Sequence, residues 1–303
     1  MSGHTRPARG TPVALLGVAL LVLASCDASR SASGERFAVV VSMSIIADLA
    51  SAVAGGDAEI TTLVPIGGDP HVYEPTPSDA RALQDADLVV MNGAGLEPWL
   101  PSLLPGDVEL VDLMARVDLP LVSDEDGEPD PHLWMVPTNA IRYVEAMAEA
   151  FAEADPDRAA AYQRRAAEYA EELRDLDDEL RAALDVIPPS NRKLVTSHDA
   201  YSYFADHYGI EVLGSVVGIS TEEEPSAGVV ARLIDEVRRT QVPTIFVEST
   251  VDPRVVERIA AEAGVEVGEP LYGDSVGEPG SGAETYQDML RANVESLVNG
   301  LAR

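Results

Sequence analysis

The segment that most restricts the fold lies in the middle of the chain. In DPDRAAAYQRRAAEYAEELRDLDDELRAALDVIPP, residues 155–189, the side chains of Tyr162, Ala166, Tyr169, Leu173, Leu176, Leu180 and Leu184 recur at spacings of three and four. That spacing lines one face of an α-helix. Asp155 is placed to cap its start with Pro156 in the first turn, and Pro188 with Pro189 stops it. The expected rod is about 30 residues, or roughly 45 Å. It holds too few heptads to stand alone as a coiled coil, so its apolar face must pack on whatever lies either side of it.

Both sides read as α/β. FAVVVS (37–42), AEITTLV (58–64), DLVVMN (87–92) and VELVDL (108–113) are β-branched runs separated by helical patterns such as SIIADLASAVA. After the rod the rhythm returns with KLVTS, IEVLGSVV, PTIFVES and VEVGEPL, interleaved with helical stretches near 225–240, 253–263 and 284–301. Repeated βαβ units imply parallel sheets covered by helices. The expected fold is therefore two (β/α) lobes with parallel sheets, residues 36–154 and 188–303, joined by a long rigid helix over 155–187.

Residues 1–25 combine a basic start, MSGHTRPARG, with the apolar run VALLGVALLVLA. A dozen apolar residues fall short of the ~20 that cross a bilayer, and the pattern is that of a secretory signal. It ends in LASC, which resembles a bacterial lipobox, so Cys26 is the expected lipidated first residue of the mature chain, with 26–35 as a flexible tether. Without residues 1–25, which carry Arg6 and Arg9 and no acid, 19 basic and 52 acidic side chains remain, a net charge of −33. Nucleic acid is excluded as a partner on that sign. Lys193 is the only lysine, and no G-x-x-x-x-G-K-[ST] loop surrounds it, so the chain does not hydrolyse ATP by itself. With no cysteine after Cys26, disulfides and thiolate metal sites are excluded from the folded part.

Chemistry concentrates on the histidines. Of five, three stand in GGDPHVYEP, PDPHLWMVP and LVTSHDAY, as His71, His132 and His198. Glycines and Pro70 fix the loop carrying His71, and Thr76–Pro77 starts a helix just beyond it. Pro131 precedes His132, with Trp134 and Pro137 as rigid apolar surroundings. His198 ends a strand, and Asp274 in LYGDSVGEPG follows another. In open α/β sheets ligands gather at such carboxyl edges. Three imidazoles and one carboxylate suit Zn²⁺, with Mn²⁺ or iron accommodated if Asp274 chelates through both oxygens. Glu248, ending TIFVES, is a candidate acceptor orienting one imidazole. His207, nine residues after His198, reads as a surface residue.

At this point a family resemblance becomes specific. GGDPHVYEPTPSD, NGAGLEPWL, DPHLWMVP, TSHDAYSYFADHYGI, ISTEEEPS, IFVESTVDPRVVERIAAEAG and LYGDSVGEPGSGAETYQDMLRANV resemble the cluster A-I substrate-binding proteins of metal-ion ABC transporters, the zinc- and manganese-type solute-binding family 9. The resemblance spans nearly all of residues 36–301. It implies two lobes joined by a rigid helix, with one metal between them. His71 and His132 would come from the first lobe, His198 and Asp274 from the second. It further implies an extracytoplasmic receptor, a monomer anchored to the membrane through Cys26, that hands Zn²⁺ or Mn²⁺ to an ABC permease served by a separate ATPase subunit. Manganese-type relatives usually have Glu where His198 stands. Many zinc-specific relatives carry a histidine-rich loop before the second ligand, where this chain has the short acidic VSDEDGEPD.

Two rival readings are a hydrolase and a surface adhesin without a transport role. GDSVG at 273–277 matches G-x-S-x-G with Ser275 as nucleophile, but that elbow needs a later histidine and none follows His207. A zinc hydrolase would need an open coordination position, and no H-E-x-x-H helix is present. Four protein ligands favour capture, so no enzymatic activity is expected.

Overall fold

Val39 and Val41 on one side of the first strand and Val40 on the other are all buried, which requires cover on both faces. A computed structural model describes residues 1–4 and 36–303 except 107, 124–126, 128, 223 and 224. Of the expected signal only residues 1–4 are described; the rest of it, Cys26 and the tether 26–35 lie outside the described residues. Residues 1–35 and 36–303 separate into two compact units.

In chain order, strands β1 Phe37–Val41 and β2 Ala58–Thr62 flank helix α1 Ser44–Ala54. Then follow α2 Pro77–Asp85, β3 Leu88–Met91, β4 Glu109–Asp112, the single turn α3 Leu113–Arg116 and α4 Pro137–Ala154. These four strands form one parallel sheet in the order β2-β1-β3-β4, with Val39 beside Ile60 and Leu88, and Val90 beside Val111. All four residues of β3 are buried, as a central strand between helices requires.

The central rod is α5 Ala159–Leu184, 26 residues and about 39 Å long. It begins later than the sequence predicts. Pro156–Arg158 make a 3₁₀ turn, and the Asp155 carboxylate accepts from Arg158 Nη1 at 2.8 Å and Tyr162 Oη at 2.7 Å instead of capping the helix. The apolar face is as expected: Tyr162, Ala166, Leu173, Leu176, Leu180 and Leu184 are buried, and Tyr169 is half-buried. That face packs on α1 and α4 from before it and on the C-terminal helix, Tyr286–Leu301, from after it.

Beyond the rod come β5 Lys193–Thr196, α6 Ser202–Tyr208, β6 Glu211–Ser215, α7 Ala227–Thr240, β7 Thr244–Ile245, α8 Arg254–Ala263, β8 Glu266–Val267 and α9 Tyr286–Leu301. β5 pairs with β6 and β7 with β8, both parallel. The Phe246 amide donates to the Val195 carbonyl at 3.0 Å and joins the pairs. β7 and β8 are shorter than PTIFVES and VEVGEPL suggest: Pro270, which lacks the N–H a ladder needs, stands between the bonds from the Gly268 amide to Ile245 and from the Leu271 amide to Val247. An isolated bridge between Glu248 and Leu271 carries the pairing on toward the loops. His207 is not a free surface residue: its Nε2 lies 2.7 Å from Asp177 on α5, which also accepts from Tyr208 Oη at 2.7 Å. Among the described residues, no helix is long and apolar enough to cross a membrane.

Candidate metal centre

The four expected side chains all stand on loops, and His198 alone follows directly on a strand. His71 lies on the loop from β2 to α2, which starts with a Thr76–Asp79 capping box behind Pro77. His132 precedes a 3₁₀ turn, Leu133–Met135, that leads into α4. His198 follows β5 by two residues, and Asp274 follows the Glu248–Leu271 bridge. All four are buried, from 0% exposed for His132 and His198 to 4% for His71.

The four side chains converge, one ligand atom from each lying within 4.8 Å of the others. His132 Nε2 and His198 Nε2 are 3.3 Å apart. Asp274 oxygens lie 3.4 Å from His132 Nε2, 3.3 Å from His198 Nε2 and 3.8 Å from His71 Nε2. An ion held by four ligands at about 2.0–2.1 Å in a tetrahedron places those ligand atoms ~3.3–3.4 Å from one another. His132, His198 and Asp274 match that size, whereas His71 stands farther out, 3.8 Å from Asp274, and the four ligand atoms span up to 4.8 Å. His71 Nε2 and both oxygens of Asp274 are buried without a hydrogen-bond partner, which a buried polar atom tolerates poorly unless something else binds it.

Two further carboxylates orient the imidazoles. Asp130 Oδ1 accepts from the His132 amide at 2.9 Å and faces Nδ1 of the same ring at 2.7 Å. Glu248 repeats the arrangement: Oε1 accepts from the His198 amide at 2.8 Å, and Oε2 lies 2.6 Å from His198 Nδ1. Each ring is thereby turned so that Nε2 faces the centre, the pattern that fixes tautomer and orientation at metal sites. Glu248 was anticipated from sequence; Asp130 was not. Its signal was present as a second Asp-Pro-His, since Asp69-Pro70-His71 and Asp130-Pro131-His132 share the bond from the histidine amide to the aspartate two residues before, 2.9 Å in both.

Electrostatics follow from this geometry. Burial alone would depress His132, but Asp130 and Asp274 hold it protonated, up to about 9. His198 is likewise raised above its ordinary value, burial being outweighed by Glu248 and Asp274. Burial dominates at His71, which falls to about 4 and stays neutral. Asp274 is held well below the usual carboxylate range, because the three imidazoles outweigh its burial.

The walls come from both halves. Trp134 Nε1 donates to the Gly273 carbonyl at 2.9 Å, and Tyr286 Oη donates to the Trp134 carbonyl at 2.5 Å. Gly273 is obligatory in this packing, because a Cβ there would stand 2.6 Å from Glu248 Oε2. In NGAGLEPWL, the buried Glu97 accepts from Ser42 Oγ at 2.5 Å and from the Asn92 and Gly93 amides at 2.9 and 3.1 Å. Asn92 Nδ2 then donates to the Pro131 carbonyl at 3.0 Å, fixing the loop before His132. Ser275 has a structural environment: its Oγ lies 3.1 Å from Ser44 Oγ, accepts from the Gly67 amide at 2.7 Å and donates to its neighbour's carbonyl at 2.8 Å.

Residues 39–300 match the family model described as zinc-uptake complex component A, periplasmic. The chain belongs to this family. It is 37% identical to the manganese-binding lipoprotein MntA of Halalkalibacterium halodurans over 94% of its own length and 96% of that protein's. Against the manganese ABC transporter substrate-binding lipoprotein PsaA of Streptococcus pneumoniae serotype 4 it is 32% identical, covering 95% and 97%. In structure it resembles the periplasmic zinc binding protein TroA from Treponema pallidum, with a TM-score of 0.85 and 31% identity over 88% of this chain and 100% of that one. It also resembles a Mn-bound periplasmic metal binding protein from candidatus liberibacter asiaticus, with a TM-score of 0.78 and 32% identity over 87% and 98%. The expected α/β fold and family are both borne out. These relatives are named for metal binding and transport, and they lend no support to the hydrolase or adhesin readings.

Proposed function

We propose that the chain is the extracytoplasmic receptor of an ABC importer, capturing one Zn²⁺ or Mn²⁺ with His71, His132, His198 and Asp274. The observation that carries the reading is the buried donor set: His132, His198 and Asp274 stand at the spacing a tetrahedral ion requires, and His71 Nε2 and both Asp274 oxygens lack hydrogen-bond partners. Family membership and the relatives' names support the same cargo. Intrinsic affinity favours Zn²⁺ over Mn²⁺ at a nitrogen-rich site, while two free oxygens on Asp274 allow the higher coordination that Mn²⁺ accepts.

On this reading residues 36–154 and 188–303 act as two lobes around the ion, with 155–187 as the linking helix. Asp130 and Glu248 hold the rings of His132 and His198. The protein acts as a monomer, tethered to the membrane through a lipid on Cys26, and delivers its cargo to a permease driven by a separate ATPase. It performs no catalysis, because four protein ligands leave no coordination position for a water nucleophile. Calorimetric titration of the metal-stripped protein with Zn²⁺ and with Mn²⁺, together with elemental analysis of native material, tests the assignment. One ion bound per chain is expected; binding that survives replacement of both His198 and Asp274 would overturn it.

A further inference from the structure

The four side chains of the centre are at most 4% exposed, so an ion cannot meet them from solvent directly. One cavity of about 760 Å³ leads toward them. The end of its lining toward the centre includes Asp69 and Ser197, which adjoin the loops of His71 and His198, and Thr221 and Thr250 line it as well. Asp69 holds the His71 amide through Oδ1 at 2.9 Å. Ser197 directly precedes His198 and accepts from the Glu248 amide at 3.1 Å. Thr250 presents Oγ1, a buried oxygen without a hydrogen-bond partner. The outer part runs between α7 and α8, past Val230 and Val255.

One side-chain contact spans the inner end. Thr221 Oγ1 donates to Asp69 Oδ2 at 2.6 Å, joining residues 152 positions apart in the chain. The carboxylate that closes this contact is the same one that fixes the loop of His71. We propose that this cavity is the passage by which the ion reaches and leaves the centre, and that the Thr221–Asp69 hydrogen bond is its inner gate. The inference rests on the receptor reading above and adds a residue to it. Thr221 is hydrogen-bonded to Asp69 and to none of the four ligands; it acts through Asp69, which a passing cation meets as an anionic oxygen once the threonine hydroxyl swings away.

The test is kinetic, using the full mature protein and Zn²⁺ alone. Dissociation is followed by transfer to an excess of chromogenic chelator, association by stopped flow, and Kd by equilibrium competition. Thr221→Val keeps the shape and removes the hydroxyl; it should raise both rate constants about tenfold, the scale of one hydrogen bond to a charged group, and leave Kd within about twofold. Thr221→Ser should restore the original rates. Ala231→Trp, an exposed position on α7 lining the cavity, should slow both processes together at unchanged Kd. If the wild-type chain takes up Zn²⁺ but neither Thr221→Val nor Ala231→Trp alters the rates, the passage is elsewhere. If Thr221→Val raises only the dissociation rate and weakens Kd, Thr221 is a support for His71 and no gate. If the wild-type chain takes up no Zn²⁺ at all, the receptor reading itself fails and the gate falls with it.

Discussion

Replacing Asp130 by Asn isolates the charge behind His132 with little change of shape. The amide oxygen can still accept from the His132 amide and from Nδ1, both now within 2.9 Å. What disappears is the negative charge. In the metal-free protein that charge helps hold a proton on His132, whose value stands at about 9, and the bound ion must displace that proton. A divalent ion feels Asp130 about twice as strongly as a single proton does. Taking the proton's share as about one pKa unit, roughly 1.4 kcal/mol, the substitution weakens metal binding about a hundredfold where His132 is already neutral. At pH 7.5 the easier loss of the proton returns about tenfold of this. The expected ratio of variant to wild-type Kd is thus about 10 at pH 7.5 and about 100 at pH 9.5, spanning the range seen when carboxylates behind metal-bound histidines are removed. Chelator competition at both pH values measures it, with thermal melts of the metal-free variant as the folding control. A ratio near 1 at both pH values, or one that does not grow with pH, would refute the reasoning.

Three further outcomes follow from the same coordinates. Asp274→Ala and His198→Ala should abolish the thermal shift given by metal at about 1,000 times the wild-type Kd, worth roughly 4 kcal/mol, while both metal-free variants melt cooperatively; loss of the apo fold would instead mark a structural site. In the metal-free wild type, Asp274 contributes stability above pH 3.8 that is lost as pH falls through its depressed folded value, and His132 contributes stability below pH 6.5 that is lost as pH rises through about 9. His71, held down to about 4, loses stability as pH falls from 6.5, so the melting temperature of the apo protein should peak near pH 6.5, whereas metal affinity should climb on the alkaline side; an apo optimum above pH 8 would contradict the assignment. Glu97→Gln places an amide N–H against one of three donors, so calorimetry should show destabilisation by about 1–3 kcal/mol with coordination chemistry unchanged; a variant as stable as wild type would show that the Asn92–Pro131 loop does not depend on it.

Local sequence determined a large part of this protein. The three- and four-residue spacing of Tyr162 through Leu184 makes a helix whatever surrounds it, and the β-branched runs before and after it make buried parallel strands. Pro70, Pro131 and the Thr76–Pro77 start mark the loops on which histidines stand, so the four candidate ligands are legible one at a time. Their meeting was not. His71 and Asp274 are brought within 3.8 Å by strand order, sheet twist and the packing of α1, α4 and α9 on the rod, none of which has a local signal. The role of Asp130 is tertiary for the same reason: an acid near a histidine in sequence is commonplace, and only the fold turns its oxygen onto Nδ1. The short β7 and β8, the Thr221–Asp69 contact and the withdrawn start of α5 were likewise decided in three dimensions, where long-range contacts outweigh the weak preferences of individual residues.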